Sequence, residues 1–219
     1  MTKQKNIVST ALLGSLLIIS NFLFFMTTSW IHFGVLLLAY VGLYFVYRYS
    51  KLEPESIGAK KSEILNGLKY GAVVCGIIFV VLLVVYAMNS HVFRDARYHE
   101  PILTAFFSAL FLEPFKIVLF EEFAFRGILL ALILRVFKNK WYAVSVTSLA
   151  FGLWHILPSL HFQGTGSHST AIISSVVFTS LAGFVLAELR LRSKSLAAPI
   201  LVHWFVNSTA IMLAAFSWR

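Results

Sequence analysis

The stretch that decides how this chain folds places three ionisable side chains inside an otherwise apolar segment: Phe120-Glu121-Glu122-Phe123-Ala124-Phe125-Arg126-Gly127. Residues 117–119 and 128–130 on either side are aliphatic, so the whole segment has the composition of a membrane span. One charged side chain near the centre of a bilayer costs about 2.5–3.5 kcal/mol. A chain that carries three of them so close together must neutralise them internally or use them.

The spacing of these side chains separates them into a pair and a single carboxylate. Glu122 and Arg126 are four residues apart, which puts them on one helix face where they can pair. Glu121 lies about 100° round the helix from Glu122 and has no obvious local partner. An unpaired carboxylate within a membrane span is by default a functional-site hypothesis. We therefore predict that Glu121 is functional and that Glu122 and Arg126 support it.

The composition predicts an integral membrane protein. The 219 residues are 59% hydrophobic and only 12% charged, with a mean hydropathy of +0.83, whereas a soluble domain is about half apolar and a quarter charged. The apolar runs predict an all-α polytopic transmembrane helical bundle. Residues 102–112 are too short to cross and precede Pro114, so we expect a short interfacial or re-entrant helix over residues 102–113. About seven spans are expected, at 7–26, 31–47, 70–88, 115–134, 141–157, 171–189 and 196–216.

The distribution of positive charge predicts the orientation. The net charge is +9, and most of the 18 Lys and Arg residues fall in the terminus and loops that would lie on the same side as Lys3. Because cytoplasmic loops are rich in Lys and Arg, the N-terminus is predicted to be cytoplasmic. This asymmetry accounts for the charge without a nucleic-acid partner. The single cysteine, Cys75, lies in an apolar run and is interpreted as a buried, inert thiol.

Three further polar side chains fall deep within later predicted spans. His155 follows Phe151 by four residues, and His203 precedes Asn207 by four, so each pair shares a helix face. One such histidine is usually explained by a hydrogen bond to a neighbouring helix, but polar groups on three spans favour a shared cavity. A carboxylate and an imidazole can deprotonate water, and histidine and asparagine donors can face an oxyanion. The residues favour a water-activating hydrolase over a covalent one.

These motifs resemble those of a known family. Glu121-Glu122-x-x-x-Arg126, Phe151-x-x-x-His155 and His203-x-x-x-Asn207 are similar, in order, to the three motifs of the CAAX protease and bacteriocin-processing (CPBP, or Abi) family of glutamate-dependent intramembrane endopeptidases. The resemblance covers about residues 102–217. We therefore divide the single integral membrane domain into an N-terminal three-span region, 1–101, and a family-like catalytic core, 102–219, which contains spans four to seven.

The resemblance implies an activity and a role for each motif residue. Glu121 and His155 would activate the hydrolytic water, His203 and Asn207 would stabilise the oxyanion, and Glu122 and Arg126 would support the site. The substrate would be a peptide or protein at the membrane, such as a prenylated CAAX tail or a bacteriocin-like peptide. The expected location is the plasma membrane of a prokaryote, and nothing in the sequence indicates the oligomeric state.

Three alternatives are considered at the sequence level. A glutamate and two histidines could hold Zn²⁺ with a free fourth position, but there is no His-Glu-x-x-His arrangement, and the resemblance favours a mechanism without a cofactor. The alternative function is a non-catalytic bacteriocin-immunity or scaffolding membrane protein on the same fold. A proton-coupled transporter would also use buried Glu and His residues, but the chain has few spans and no internal repeat.

Overall fold

The computed structural model describes residues 3–27, 29–93, 101–160 and 167–217. In these ranges the backbone is helical and forms no strand. Short 3₁₀ helices occur at Lys61–Glu63 and Ser90–Phe93. The other helices are α1 (Lys3–Met26), α2 (Ser29–Ser50), α3 (Ile64–Met88), α4 (102–137), α5 (Lys140–Trp154), α6 (Ile156–Leu160), α7 (His168–Ser193) and α8 (Ala197–Ser217).

The helices confirm the predicted all-α membrane bundle. Within the described ranges, six helices are long and apolar enough to cross a membrane: α1, α2, α3, the α5–α6 pair, α7 and α8. The seventh long helical segment is α4, which carries the charged stretch. Many large apolar side chains on the outer faces of these helices are exposed, as expected of surfaces that contact lipid. The chain is therefore an integral membrane protein, and its N-terminal orientation stays a prediction.

Helix α4 alternates between α-helical and π-helical turns. The π-helical stretches are Ser108–Leu112, Pro114–Val118 and Glu122–Leu129, and the backbone remains right-handed at each junction. The short helix expected before Pro114 therefore continues without a break into the charged segment. Whether its first turns lie at the membrane surface stays a prediction. Such π-helical turns are often found at functional sites.

Pro114 is accommodated because side chains of α8 replace its missing donor. Proline has no N–H, and with the i to i−5 spacing of a π-helix that N–H would have bonded the carbonyl oxygen of Ala109. Trp204 Nε1 donates to this oxygen at 3.0 Å and Ser208 Oγ at 2.7 Å. Neighbouring side chains commonly satisfy backbone groups that proline frees within a membrane. The two bonds also hold α8 against α4.

Small residues allow α5 and α7 to pack closely. A methyl group on Gly152 would come within 2.7 Å of the Val176 carbonyl oxygen, and one on Gly183 within 3.2 Å of Ser148 Cα. Close backbone approach at glycine is the usual basis of helix packing in membranes. This packing fixes the end of α5, where Trp154 and His155 lie.

The N-terminal helices pack against the rest of the bundle. Helix α1 lies beside α4, α5 and α6, and α3 lies along α8. The loop between α2 and α3 is held by two hydrogen bonds from later residues. The Leu196 N–H donates to the Gly58 carbonyl oxygen at 2.8 Å, and the Arg190 side chain donates to the Ser56 carbonyl oxygen. Gly58 has a φ of +79°, a conformation that favours glycine. The division of the chain at residue 101 stays a prediction, but α1 and α2 both reach the site described next.

Candidate active site

Glu122 and Arg126 form a buried ion pair on α4. Arg126 Nη1 lies 2.9 Å from Glu122 Oε1, and the side chains are 2% and 0% exposed respectively. The Arg126 guanidinium also sits over the Phe151 ring, 3.9 Å from its centroid, in a cation–π contact. The pairing predicted from their spacing is therefore present. It neutralises two of the three charges that made this stretch unusual.

Glu121 has its partner on a different helix. Its side chain is buried, and Trp154 Nε1 donates to Oε1 at 2.7 Å. The Trp154 carbonyl oxygen in turn accepts a hydrogen bond from Asn21 Nδ2 at 2.7 Å. Glu121 Oε2 has no hydrogen-bond partner within the described ranges. A buried carboxylate oxygen without a partner is costly, so this atom is available to a water molecule or a substrate.

His203 faces both glutamates. Its Nδ1 lies 2.7 Å from Glu122 Oε1, and its Nε2 lies 3.9 Å from Glu121 Oε2. The carboxylate at Nδ1 identifies Nδ1–H as the donor and fixes the orientation of the ring. The second distance is too long for a direct hydrogen bond, but a water molecule can bond to both atoms across such a gap. Glu121, Glu122, Arg126 and His203 thus form one contiguous cluster.

His155 does not reach this cluster directly. It follows the last residue of α5 with φ −85° and ψ 2°, and its Nδ1–H donates to the Phe151 carbonyl oxygen at 2.8 Å. In the part of the chain that the structure describes, it forms no hydrogen bond or ion pair with a glutamate. Its ring meets that of Phe151 edge-on, and Phe151 also contacts the ring of His203. His155 lines a separate cleft of about 370 Å³ between α6 and α7.

Asn207 reaches the site through Glu113. The Asn207 side chain is close enough to the Glu113 carboxyl to interact with it, and Glu113 is close enough to Glu121 and His203 to interact with their charges. Glu113 is not among the residues that the sequence motifs single out. The signal that could have identified it is its spacing of eight residues from Glu121, about two helical turns on one face. Trp154 is next to His155 in the sequence, which indicates that it can line the cavity, but nothing in its spacing indicates a bond to Glu121.

Two cavities meet at Trp154 and Asn21. The first is a cleft of about 260 Å³ between α4, the end of α1 and the start of α2; Glu121, Lys116 and His32 line it together with Trp154 and Asn21. The second is an apolar groove of about 720 Å³ bounded by α1, α4, α5 and α6, to which Trp154 and Asn21 also contribute. A polar pocket that contains a buried carboxylate, joined to an apolar groove, has the make-up of a substrate-binding site.

The described residues contain no group of three or more His, Cys, Asp and Glu side chains arranged to hold a metal ion. Glu121 instead accepts a hydrogen bond from the indole N–H of Trp154. Glu122 is bonded to the Arg126 guanidinium and to His203 Nδ1. A buried carboxylate–imidazole cluster of this kind is suited to proton transfer. Within a polytopic helical bundle, such a cluster favours an intramembrane hydrolase.

Comparison with known proteins identifies the family. The model of the Rce1-like family, type II CAAX prenyl endopeptidases, matches residues 100–209, half of the 219-residue chain. The protein belongs to this family and is a hydrolase that acts on peptide bonds. The match confirms the resemblance seen in the sequence and includes all six candidate residues. No curated protein and no solved structure matches the chain.

The hydrogen bond from Trp154 to Glu121 leads to a first prediction. Replacing Trp154 with phenylalanine keeps an aromatic ring between the two cavities but removes the indole N–H. We expect kcat for peptide cleavage to fall about tenfold with little change in KM, because a hydrogen bond to a charged group contributes about 1.5–3 kcal/mol. The measurement is steady-state kinetics in detergent.

The matched control for this substitution is Trp141→Phe. Trp141 is exposed and stacks on Phe184, away from the glutamates. Its replacement should leave both kinetic constants near those of the wild type. If Trp154→Phe changed KM alone, Trp154 would line the substrate site without positioning Glu121.

Proposed function

We propose that this protein cleaves a peptide bond near the C-terminus of a prenylated, membrane-associated substrate by means of a water molecule that Glu121 activates. The observation that carries the proposal is the geometry of Glu121 Oε2. This oxygen is buried, has no hydrogen-bond partner within the described ranges and faces His203 Nε2 at 3.9 Å. A water molecule held between the two atoms would be in contact with a general base and with an imidazole.

In the proposed reaction Glu121 takes a proton from this water, and the resulting hydroxide attacks the scissile carbonyl carbon. With His203 protonated, the cluster of Glu121, Glu122, Arg126 and His203 carries no net charge, and Nε2–H is a donor for the oxyanion. Collapse of the tetrahedral intermediate breaks the C–N bond, and the leaving amine takes the proton from Glu121. Water thus adds its hydroxyl to the acyl product and its hydrogen to the amine.

The remaining motif residues support this reaction in different ways. Glu122 holds His203 Nδ1, and Arg126 compensates the charge of Glu122. Asn207 interacts with the Glu113 carboxyl and lies one helical turn beyond His203, where its amide can assist at the oxyanion. His155 reaches neither carboxylate in this structure, so no proton transfer is assigned to it. Its contact with Phe151 gives it a packing role beside Arg126.

The apolar groove supports the choice of a prenylated substrate. It runs beside the cleft that contains Glu121, and its walls are almost entirely hydrocarbon. A farnesyl or geranylgeranyl chain on a C-a-a-X cysteine is also a hydrocarbon. With the chain in the groove, the peptide attached to it would pass Trp154 and enter the cleft beside Glu121. The N-terminal helix α1 would then form one wall of the lipid site.

The test is cleavage by the purified protein of peptide pairs with the same C-a-a-X sequence, one farnesylated and one unmodified. We expect kcat/KM to be at least about tenfold higher for the farnesylated peptide, because each buried CH₂ contributes about 0.8 kcal/mol. Cleavage should persist at the same rate after treatment with a chelator, because no step requires a metal ion.

Three outcomes would contradict parts of this proposal. Equal cleavage of both peptides would refute a lipid-binding role for the groove. Loss of activity on chelation, restored by Zn²⁺, would refute the metal-free mechanism. Cleavage of neither peptide would refute the proposed substrate class.

A further inference from the structure

The cleft that contains Glu121 also contains a lysine to which the proposed reaction assigns no role. We propose that Lys116 binds the free C-terminal carboxylate of the substrate peptide. This inference rests on the proposed function, because it assumes that the scissile bond of the substrate lies beside Glu121. It adds a recognition site for the peptide end, and nothing in the family match specifies such a site.

Lys116 is suited to this role by its surroundings. Its side chain is exposed, and within the described ranges its ammonium forms no hydrogen bond or ion pair. It lines the 260 Å³ cleft together with Glu121, and it also lines an adjoining cavity of about 430 Å³ between α2 and α4. The acidic group whose charge it influences is Glu113, which also interacts with the Asn207 side chain. The ammonium is therefore open to an anion that enters the cleft.

His32 forms the opposite wall. Its imidazole lines both cavities and stacks on Phe24 at 5.4 Å between ring centroids. Nε2 of this ring is buried and has no hydrogen-bond partner in the described part of the chain. Helix α2 thus places a polar aromatic ring across from Lys116, in a position that can complete a carboxylate site.

The distances fit a short C-terminal tail. Lys116 precedes Glu121 by five residues, a rise of about 7 Å along a helix. Three extended residues span about 10 Å, and in a C-a-a-X tail the carboxylate lies three residues beyond the modified cysteine. If the scissile peptide bond, which follows the modified cysteine, lies beside Glu121, the terminal carboxylate of the peptide comes within reach of the flexible Lys116 side chain.

The order of features along the cavities matches the order of groups in the substrate. The apolar groove comes first, and Trp154, which lines both cavities, donates a hydrogen bond to Glu121 in the cleft. Lys116 and His32 line the same cleft and do not line the groove. A prenylated tail has its lipid, its scissile bond and its carboxylate in the same order. This correspondence favours a peptide carboxylate over the phosphate of a lipid headgroup, the other anion available at a membrane.

The first test compares cleavage of one farnesylated peptide with a free C-terminal acid or a C-terminal amide. We expect the wild type to show a KM about tenfold lower for the acid, since a charge-assisted hydrogen bond is lost in the amide. Lys116→Gln should remove this preference, so that both peptides are cut with the same kcat/KM, and Lys116→Arg should retain it. Lys69→Gln, an exposed lysine on α3, is the matched control and should behave as the wild type.

The second test measures binding without cleavage. Glu121→Gln protein in phosphatidylcholine nanodiscs should bind the acid about tenfold more tightly than the amide, and Glu121→Gln/Lys116→Gln should bind both equally. This preference without cleavage by wild type would refute the proposed function and support the carboxylate site. Equal binding of acid and amide would overturn the inference. Equal binding that weakens in phosphatidylglycerol nanodiscs would instead assign Lys116 to a lipid headgroup.

Discussion

Replacing Glu121 with glutamine is expected to lower kcat for peptide cleavage by about 10²–10⁴-fold, the usual contribution of a general base. Glutamine has the size of glutamate, and its amide oxygen can still accept the hydrogen bond from Trp154 Nε1. It cannot take a proton from water. We therefore expect the variant to fold with nearly wild-type thermal stability in detergent while losing activity on a farnesylated peptide.

The control for this variant is Glu53→Gln, which changes an exposed carboxylate in the loop between α2 and α3. It should retain full activity, which would show that loss of one negative charge is not itself harmful. A Glu121→Gln protein with more than about a tenth of the wild-type kcat would contradict the role of Glu121 as the base. If Glu121→Gln also kept the full biological effect in cells, the effect would not depend on Glu121-activated hydrolysis, as a scaffolding role requires.

The sequence predicted those features that depend on composition and on spacing within one helix. The apolar runs identified the long helical segments, and the spacing of Glu122 and Arg126 identified their ion pair. Both follow from local properties: the length needed to cross a bilayer and the neighbours on a helix face. The family resemblance rested on the same motifs and is confirmed by the match over residues 100–209.

Contacts between helices were less predictable, because they depend on how each helix is rotated. The π-helical turns around Glu121 and Glu122 change the angle per residue, so an argument from ideal α-helical spacing does not tell which neighbour Glu121 meets. The partner is Trp154, the last residue of α5. His155 follows the end of that helix and bonds to Phe151 rather than to a carboxylate. Because α5 ends between them, Trp154 and His155 have different partners although they are adjacent in sequence.

The N-terminal helices contribute to the site although the family match begins after them. Asn21 of α1 holds the Trp154 carbonyl, and His32 of α2 lines the cleft next to Glu121. Eight residues of α1, between Thr10 and Leu23, line the apolar groove. We infer that the matched core supplies the chemistry and that α1 and α2 supply much of the surface that distinguishes one substrate from another.

The side of the membrane from which a substrate enters the cleft depends on the orientation of the protein. The cleft lies between the C-terminal end of α1 and the beginning of α2, whereas Lys3 is at the other end of α1. With the N-terminus in the cytoplasm, as the distribution of Lys and Arg predicts, the cleft lies toward the opposite side. A substrate tail would then approach Lys116 from outside the cytoplasm.

Replacing Arg126 with methionine is expected to destabilise the protein by about 3–5 kcal/mol, because it leaves the carboxylate of Glu122 buried without its counter-charge. Glu122 is 0% exposed, so water cannot take the place of the guanidinium. For a protein of this size we expect thermal unfolding in detergent to begin about 6–20 °C lower. Activity should also be lost, because Glu122 would no longer hold His203 in a neutral cluster.

A double substitution separates the contribution of the Arg126 charge from that of its packing. In Glu122→Gln/Arg126→Met no buried charge is left uncompensated, and the glutamine oxygen can still accept from His203 Nδ1. We expect most of the lost stability to return, since replacing a whole buried pair is often close to neutral. The kcat should stay well below that of the wild type, because an amide stabilises a protonated His203 less than a carboxylate does.

The chain contains a matched control with the same spacing and a different environment. Arg192 pairs with Glu188 across one helical turn at 3.2 Å, but the arginine side chain is 68% exposed. Exposed pairs contribute about 0–1 kcal/mol, so Arg192→Met should lower the unfolding temperature by at most about 4 °C. Equal effects of Arg126→Met and Arg192→Met would contradict the role of burial. A double variant as unstable as Arg126→Met would show that Arg126 acts through its packing on Phe151 rather than by neutralising Glu122.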